Sequence, residues 1–330
     1  MAAPPPCTVR IFQERVLHKL VALAAIVILA ATAPAKAEDM IGQDLTAAPK
    51  QEYFPLELSG TLLKANQAGA VTIGYRDASF PFSYKRPEQA EPQGYAIELC
   101  KGVVEEISRE LHGKPVRIDY KLVTSDTRIA AVTAGEVDLE CGSTTANRER
   151  EKQVSFSPVT YVAGTKLLVK RGSGIRSYKD LQGKTLVVTA GTTNEAALKQ
   201  LNDKYHLGMI IASAPDHQQS YDMLTAGKAD AFATDDVLLY GFIARNHAQK
   251  TLAVVGDFIT YDAYGIMFRK DDPLMTEAVK RAFAAMAEQG KLVRTYRRWF
   301  LQATPGGDNL NLPISLQLTE AWRALGIDAF

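Results

Sequence analysis

Along most of the chain, segments that read as strands alternate with segments that read as helices, and this alternation leaves few architectures open. Val71 to Tyr75 reads as a strand. Tyr95 to Leu111 carries Ile97, Val103, Val104, Ile107 and Leu111 near helical spacing. Val116 to Val123 is a second strand, Arg128 to Ala134 a short helix and Val137 to Cys141 a third strand. A new apolar strand runs from Tyr161 to Lys170, and Thr185 to Thr189 follows it. The order then continues as helix Asn194 to Tyr205, strand Met209 to Ala212, helix Gln218 to Ala226, strand Ala229 to Thr234, helix Val237 to Arg245 and strand Leu252 to Val255. Alternation of this kind favours an α/β fold with mainly parallel strands. After Gly256 the chain passes Tyr264 to Phe268, and Asp271-Asp272-Pro273 opens a long helical stretch to about Phe300, with Pro273 suited to a first turn. A tail containing Pro305-Gly306-Gly307 and Pro313 is expected to wrap the surface and end in a short helix.

The alternation also repeats itself. Thr133-Ala134-Gly135-Glu136-Val137-Asp138 recurs as Thr225-Ala226-Gly227-Lys228-Ala229-Asp230, each copy ending a helix at glycine and starting a strand. The copies are compatible with two lobes of similar design and equally with a coincidental turn.

The N-terminus is different in kind. Arg10, Arg15 and Lys19 lead into an apolar run from Leu20 to Ala33, and Ala35-Lys36-Ala37 supplies small residues around a cleavage point. Residues 1–37 therefore read as a secretory signal peptide cut after Ala37. The run is shorter than the roughly 20 residues that span a bilayer. Residues 38–54 read as a flexible leader. The chain has 38 basic and 37 acidic residues; residues 1–37 hold four basic and one acidic, leaving 34 against 36, net −2. That balance, without a Lys/Arg block, excludes an electrostatic footprint for nucleic acid. Cys100 and Cys141 remain beyond the signal, as a disulfide or as two buried thiols.

Motifs for catalysis are sparse. His112, His206, His217 and His247 have no partner at metal-ligand spacing, and no P-loop, G-x-S-x-G elbow or G-x-G-x-x-G fingerprint occurs. No cofactor, metal or catalytic residue is expected. What stands out is a set of polar residues just beyond the expected strand ends, where ligands of open α/β sheets bind. Arg76 follows the first strand, Ser125 and Arg128 the second, and Ser143, Thr144, Thr145 and Arg150 the third. In the second half, Thr192 and Thr193 precede a helix, His217 follows Ala212 and Asp235 follows Thr234. Three arginines suit two carboxylates, since guanidinium pairs bidentately with carboxylate, and one aspartate suits an ammonium.

Particular stretches carry a family resemblance. Gly74-Tyr75-Arg76-Asp77-Ala78-Ser79-Phe80-Pro81-Phe82-Ser83-Tyr84, Thr124-Ser125-Asp126-Thr127-Arg128 and the run Glu140-Cys141-Gly142-Ser143-Thr144-Thr145-Ala146-Asn147-Arg148-Glu149-Arg150 are among them. Thr189-Ala190-Gly191-Thr192-Thr193, Asp216-His217 and Thr234-Asp235-Asp236 continue the series. Together they resemble the periplasmic glutamate/aspartate-binding proteins of ABC importers, a branch of the family 3, type II extracellular solute-binding proteins. The likeness runs from about Leu56 to Leu318. It implies two α/β lobes, each a mainly parallel sheet flanked by helices, joined by two strands crossing near Val162 to Thr165 and Tyr261 to Gly265. Lobe 1 would be discontinuous, 55–161 plus 265–330, and lobe 2 would span 162–264.

The resemblance also assigns roles. Arg150 is expected to hold the ligand α-carboxylate, with Thr145 and Thr193. Asp235 and Ser143 are expected on the α-ammonium, and Arg76, Ser125, Arg128 and His217 around the side-chain carboxylate. Tyr75 stands where a histidine can occur, and Ala146 where an asparagine can. The implied product is a periplasmic, monomeric carrier that binds L-glutamate or L-aspartate by hinge closure and is recognised by an ABC permease. The competing expectation is a periplasmic enzyme on the same fold, such as a cyclohexadienyl dehydratase-like enzyme.

Overall fold

The computed structural model describes residues 57–326. The expected signal peptide and leader, 1–37 and 38–54, lie outside the described residues. The first lobe is built from α1 (Gly60–Ala68), β1 (Ala70–Tyr75), α2 (Tyr95–Glu110), β2 (Arg117–Leu122), α3 (Arg128–Thr133), β3 (Leu139–Glu140) and β4 (Val154–Phe156). Strand β5 (Tyr161–Ala163) leaves this lobe and leads into β6 (Thr165–Lys170), β7 (Thr185–Thr189), α4 (Thr193–Tyr205), β8 (Ile210–Ala214), α5 (His217–Thr225), β9 (Ala231–Asp235), α6 (Asp236–Arg245) and β10 (Leu252–Val255). Strand β11 (Asp262–Tyr264) returns, followed by β12 (Met267–Arg269), α7 (Pro273–Glu288), α8 (Lys291–Phe300) and α9 (Leu316–Arg323).

Two five-stranded sheets result, in the orders β2-β1-β3-β12-β4 and β10-β6-β9-β7-β8. Strands β5 and β11 pair antiparallel as the two crossings, with Asp262 opposite Ala163 and Tyr264 opposite Tyr161. In each sheet one strand runs against the rest: β12 is antiparallel to β3 and β4, and β6 to β9 and β10. Both reversed strands are the ones entered directly from a crossing, so the reversal is a consequence of how the chain arrives in each lobe.

The segment Tyr161 to Lys170, expected as one strand, breaks at Gly164. A Cβ there would lie 2.4 Å from Phe258 Cδ1 and 2.5 Å from the Thr260 carbonyl oxygen. Only glycine lets the crossing pass under the 258–260 segment and change partners from β11 to β9. The helical stretch expected up to Phe300 is likewise broken, at Gly290, whose φ of 64° separates α7 from α8. Helix α1 and the three-residue β4 were not expected. The polar positions Lys64, Asn66 and Gln67 blur the helical stripe of α1, and β4 is too short to show a period.

The core of the first lobe is aromatic. Phe82, Tyr95, Tyr161, Tyr264, Tyr296 and Phe300 pack together, with ring centroids of Phe82 5.1 Å from both Tyr161 and Tyr264. Since Tyr161 opens β5 and Tyr264 closes β11, both crossings are rooted in this cluster. The tail ends in α9, capped by Ser315, and its buried Trp322 donates Nε1–H to the Val159 carbonyl at 3.0 Å. The second lobe has smaller cores on the two faces of its sheet.

Cys100 of α2 and Cys141, just beyond β3, form a disulfide with Cα atoms 6.3 Å apart. At a sequence separation of 41, loop-closure entropy would contribute about 4 kcal/mol. The bond ties α2 to the strand end that carries Ser143 and Thr145.

The internal repeat has a structural cause. Gly135 and Gly227 adopt φ of 72° and 73°. The aspartate ending each copy then clamps a neighbouring region of its sheet, β1 in the first lobe and the start of β7 in the second: Asp138 Oδ2 accepts from Thr72 N at 2.8 Å, and Asp230 Oδ2 from Thr185 N at 2.8 Å. In both lobes the same aspartate also donates its own N–H to that residue's carbonyl.

Candidate functional site

The strand-end residues converge. Arg76 follows β1; its backbone N–H donates to Ser83 Oγ at 2.9 Å, and its Nη2 donates to Ser125 Oγ at 2.6 Å. Thr124 and Thr127 exchange hydroxyl and backbone hydrogen bonds, a local turn that starts α3 at Arg128. Beyond β3 the chain is held against the β11 crossing by Ala146 N to Ala263 O at 2.8 Å and Gly265 N to Thr144 O at 3.1 Å. This holds Ser143, whose hydroxyl donates to Ser79 Oγ at 3.3 Å, and Thr145. Arg150 opens a 3₁₀ turn seeded by Asn147, and its Nη1 donates to the Thr145 carbonyl at 2.8 Å.

The second lobe contributes helix starts. Thr192 caps α4 by accepting from Glu195 N, which leaves Thr193 as the first helical residue. Its hydroxyl donates to Asp262 Oδ1 at 3.0 Å and lies 3.3 Å from Thr145 Oγ1 of the first lobe. Asp216 caps α5 in the same way and places His217 at the helix start, with Nδ1 2.8 Å from Thr189 Oγ1. Asp235 ends β9; one carboxylate oxygen accepts from Asn194 Nδ2 at 2.8 Å and the other from the Tyr264 hydroxyl.

The lobes meet over this set. A Cβ on Gly191 would sit 2.7 Å from Asp126 Cα, and one on Gly241 2.7 Å from the Phe80 carbonyl oxygen. Arg150 Nη2 reaches the Gly191 carbonyl at 3.4 Å. Arg76, Ser125, Arg128, Ser143, Thr145, Arg150, His217 and Asp235 are consequently all buried, and Thr193 is half-buried. An open depression of about 410 Å³ along α8, lined by Lys291, Arg294 and Arg298 among others, shares none of these residues.

Burial controls the electrostatics. It lowers the Arg76 guanidinium to about 9, with Arg128 pushing the same way, and the Arg150 guanidinium to about 10. Arg128 is lowered too, mainly by burial. Burial, followed by the charges of Arg76 and Arg128, depresses His217 well below its usual range, so the imidazole is neutral at pH 7. Asp235 is pushed up to about 7 by burial and by Asp262, against the pull of its bonds from Tyr264 and Asn194. Arg76 Nη1 and Arg128 Nε, both buried, have no hydrogen-bond partner among the described residues. Orphaned guanidinium nitrogens of this kind are matched by anionic oxygens.

Residues that sequence reasoning missed lie one position away from those it found, or across the crossing. Asn194 adjoins Thr193 and orients Asp235; Tyr264 and Asp262 belong to β11, read only as a hinge. Glu140 opens the motif that runs to Arg150, and the resemblance assigns it no role. No group of three or more His, Cys, Asp or Glu that could hold a metal occurs among the described residues.

Residues 71–302 match the family described as bacterial extracellular solute-binding proteins, family 3. The chain belongs to this family. This solute-binding protein is 44% identical over 263 residues to the L-glutamate/L-aspartate-binding protein of Pseudomonas aeruginosa, covering 79% of this chain and 87% of that one. It is 36% identical over 265 residues to the glutamate/aspartate import solute-binding protein of Escherichia coli, covering 80% and 86%. Among solved structures, an ancestral arginine-binding protein bound to arginine aligns with a TM-score of 0.63 at 27% identity, covering 70% of this chain and 98% of that one. An ancestral amino acid-binding protein described as a precursor of cyclohexadienyl dehydratase aligns at 0.62 and 27%, covering 73% and 99%. The solute-binding protein thus has the two-lobed, type II α/β fold expected from its sequence. Among the described residues no helix is long and apolar enough to cross a membrane.

Proposed function

We propose that this solute-binding protein captures L-glutamate or L-aspartate between its lobes in the periplasm and delivers it, as a monomer, to the permease of an ABC importer. The observation that carries the reading is a buried set of three arginines, with buried Asp235 acting on Arg128 and Arg150 and orphaned guanidinium nitrogens on Arg76 and Arg128. Two carboxylates and one ammonium complement that set. The names of the relatives in Pseudomonas aeruginosa and Escherichia coli point the same way.

In the proposed complex Arg150, Thr145 and Thr193 take the α-carboxylate, Ser143 and Asp235 the ammonium, and Arg76, Ser125, Arg128 and His217 the side-chain carboxylate. His217, neutral and tied through Nδ1 to Thr189, keeps Nε2 for the ligand. Closure of 162–264 onto 55–161 plus 265–330 about β5 and β11 expels water, which strengthens each charged contact. Chain 1–37 acts as the export signal.

Binding rather than catalysis is the proposed role. Asp235, pushed up to about 7, has the proton affinity of a general acid, but Asn194 and Tyr264 aim it as an acceptor, which suits an ammonium. Thermal unfolding of ligand-stripped mature protein tests the reading, because a ligand bound only by the native state raises the midpoint. Glutamate and aspartate are expected to raise it strongly, and glutamine, asparagine and neutral aliphatic amino acids weakly. No shift with either acid would overturn the assignment.

A further inference from the structure

Two buried acids near the arginines are not used by the proposed ligand contacts: Asp262, which accepts from the Thr193 and Thr260 hydroxyls, and Glu140, which lies on the first lobe with the arginines. Glu140 ends β3 in the middle of the first sheet, opposite Gly74 of β1 and Met267 of β12, and is 0% exposed. The Thr144 hydroxyl donates to its Oε2 at 2.5 Å, and Oε1 has no hydrogen-bond partner among the described residues. It makes no salt bridge within 4.0 Å among them. A Cβ added at Gly142 would lie 2.5 Å from Glu140 Oε1 and 2.8 Å from Arg76 Cγ, so the acid and the arginine flank the space that glycine leaves open. The mismatch has its counterpart in the arginines, where Arg76 Nη1 and Arg128 Nε are also without partners among the described residues. The field of Glu140 favours the charged forms of Arg76, Arg128 and Arg150 alike.

From this geometry we infer that Glu140 is the resident counter-anion of the arginine cluster and fixes the net charge of ligand that the site accepts. Counted as a carboxylate, Glu140 against the three guanidiniums of the first lobe leaves that cluster at +2, the charge that two carboxylates match, while Asp235 and Asp262 belong to the second lobe and the β11 crossing. A dicarboxylic amino acid, with two carboxylates and one ammonium, carries −1. Without Glu140 that cluster would hold +3, and closing on a neutral amide, which brings one carboxylate instead of two, would leave more positive charge buried and uncompensated, which is strongly unfavourable. The inference rests on the acidic amino-acid reading for its ligand, though the role of Glu140 toward the arginines stands apart from it.

The test is Glu140→Gln, compared with Glu140→Asp, which keeps the charge but draws it back by one methylene, and Thr144→Val, which removes only the hydrogen bond. Ligand-free E140Q is expected to unfold several degrees below wild type. Saturating glutamate, or sulfate as a simple anion, should recover most of that loss. The glutamate-to-glutamine affinity ratio should rise by about tenfold, since removing a nearby negative charge favours the anionic ligand. T144V should leave the ratio unchanged. An E140Q loss that is equal with and without glutamate or sulfate, together with an unchanged ratio, would make Glu140 a structural hydrogen-bond acceptor and overturn the inference. Should E140Q fail to fold, E140D decides: withdrawing the charge by one methylene raises the ratio if the inference holds and leaves it unchanged if it does not. Failure of the ligand reading shows separately, as wild type that no acidic amino acid stabilises, while the sulfate arm still reads Glu140.

Discussion

The two lobes contribute unlike halves to the site although their sheets are built alike. The first supplies cations, Arg76 beyond β1, Arg128 at the start of α3 and Arg150 at the start of a 3₁₀ turn, with Glu140 at the end of β3. The second supplies helix starts and one anion: Thr193 at α4, His217 at α5, and Asp235 where β9 meets α6. In the proposed complex every guanidinium for the carboxylates comes from the first half, with Thr193 and His217 added by the second, whereas the anion for the ammonium, Asp235, comes from the second half. On the proposed reading, division of the ligand's charges between lobes is what couples recognition to closure.

The sharpest way to break this comparison is to remove one member of the cationic half. Arg150→Ala deletes a buried guanidinium that also reaches the Gly191 carbonyl across the cleft. Truncating one partner of a buried charge pair costs about 3 kcal/mol, roughly 150-fold in affinity. Titration calorimetry should find that loss with both glutamate and glutarate, which lacks the amine, because each presents carboxylates. An effect confined to glutamate would remove Arg150 from carboxylate recognition.

The anionic half predicts the opposite selectivity and a smaller effect. Asp235→Asn should weaken glutamate by about 2 kcal/mol, near 30-fold, while glutarate is little changed. An equal loss for both would dissolve the division between lobes. The same residue gives wild type a pH dependence. Asp235 lies at about 7, facing Asp262, Asp236, Tyr264 and Asn194, and must be ionised to hold an ammonium, which lowers it further. Affinity for glutamate should therefore be full just above pH 7 and fall as pH drops through 7, by up to about tenfold per pH unit. Binding near pH 6 should release a proton, read as buffer-dependent heat, and D235N should abolish both effects.

Much of this arrangement was legible in the chain, and the limits have physical causes. Strand ends could be placed because alternation marks where β1, β7 and β9 stop, and ligands of α/β sheets gather there. Arg76, Thr193 and Asp235 could thus be named before any contact was known. Asn194, Tyr264 and Asp262 could not, because their roles depend on pairings 41, 29 and 69 residues away in sequence, which no local pattern encodes. Cys100 and Cys141 sat in elements whose separation sequence does not give, and the disulfide emerged only once α2 lay against β3. The breaks at Gly164 and Gly290 are not written in the local pattern for a related reason: one follows from a distant segment passing overhead, and the other from a single residue inside an otherwise helical pattern.

The smallest effect tests the likeness of the lobes rather than their difference. Gly135 and Gly227 hold the same left-handed conformation, and a Cβ would meet only Arg269 Nη1 at 3.7 Å in one case and Lys170 Nζ at 3.6 Å in the other. Space is therefore no obstacle at either site, and alanine would suffer only the backbone penalty of positive φ, about 1 kcal/mol. Gly135→Ala and Gly227→Ala should lower stability to denaturant equally, and neither should change affinity for glutamate. Unequal losses would mean that the clamps made by Asp138 and Asp230 differ in strength, since each aspartate lies three residues beyond its glycine and depends on the turn for its aim. Asp138 is also bonded by Lys64 at 2.7 Å, so any inequality should fall on the second lobe, where the clamp stands without that brace.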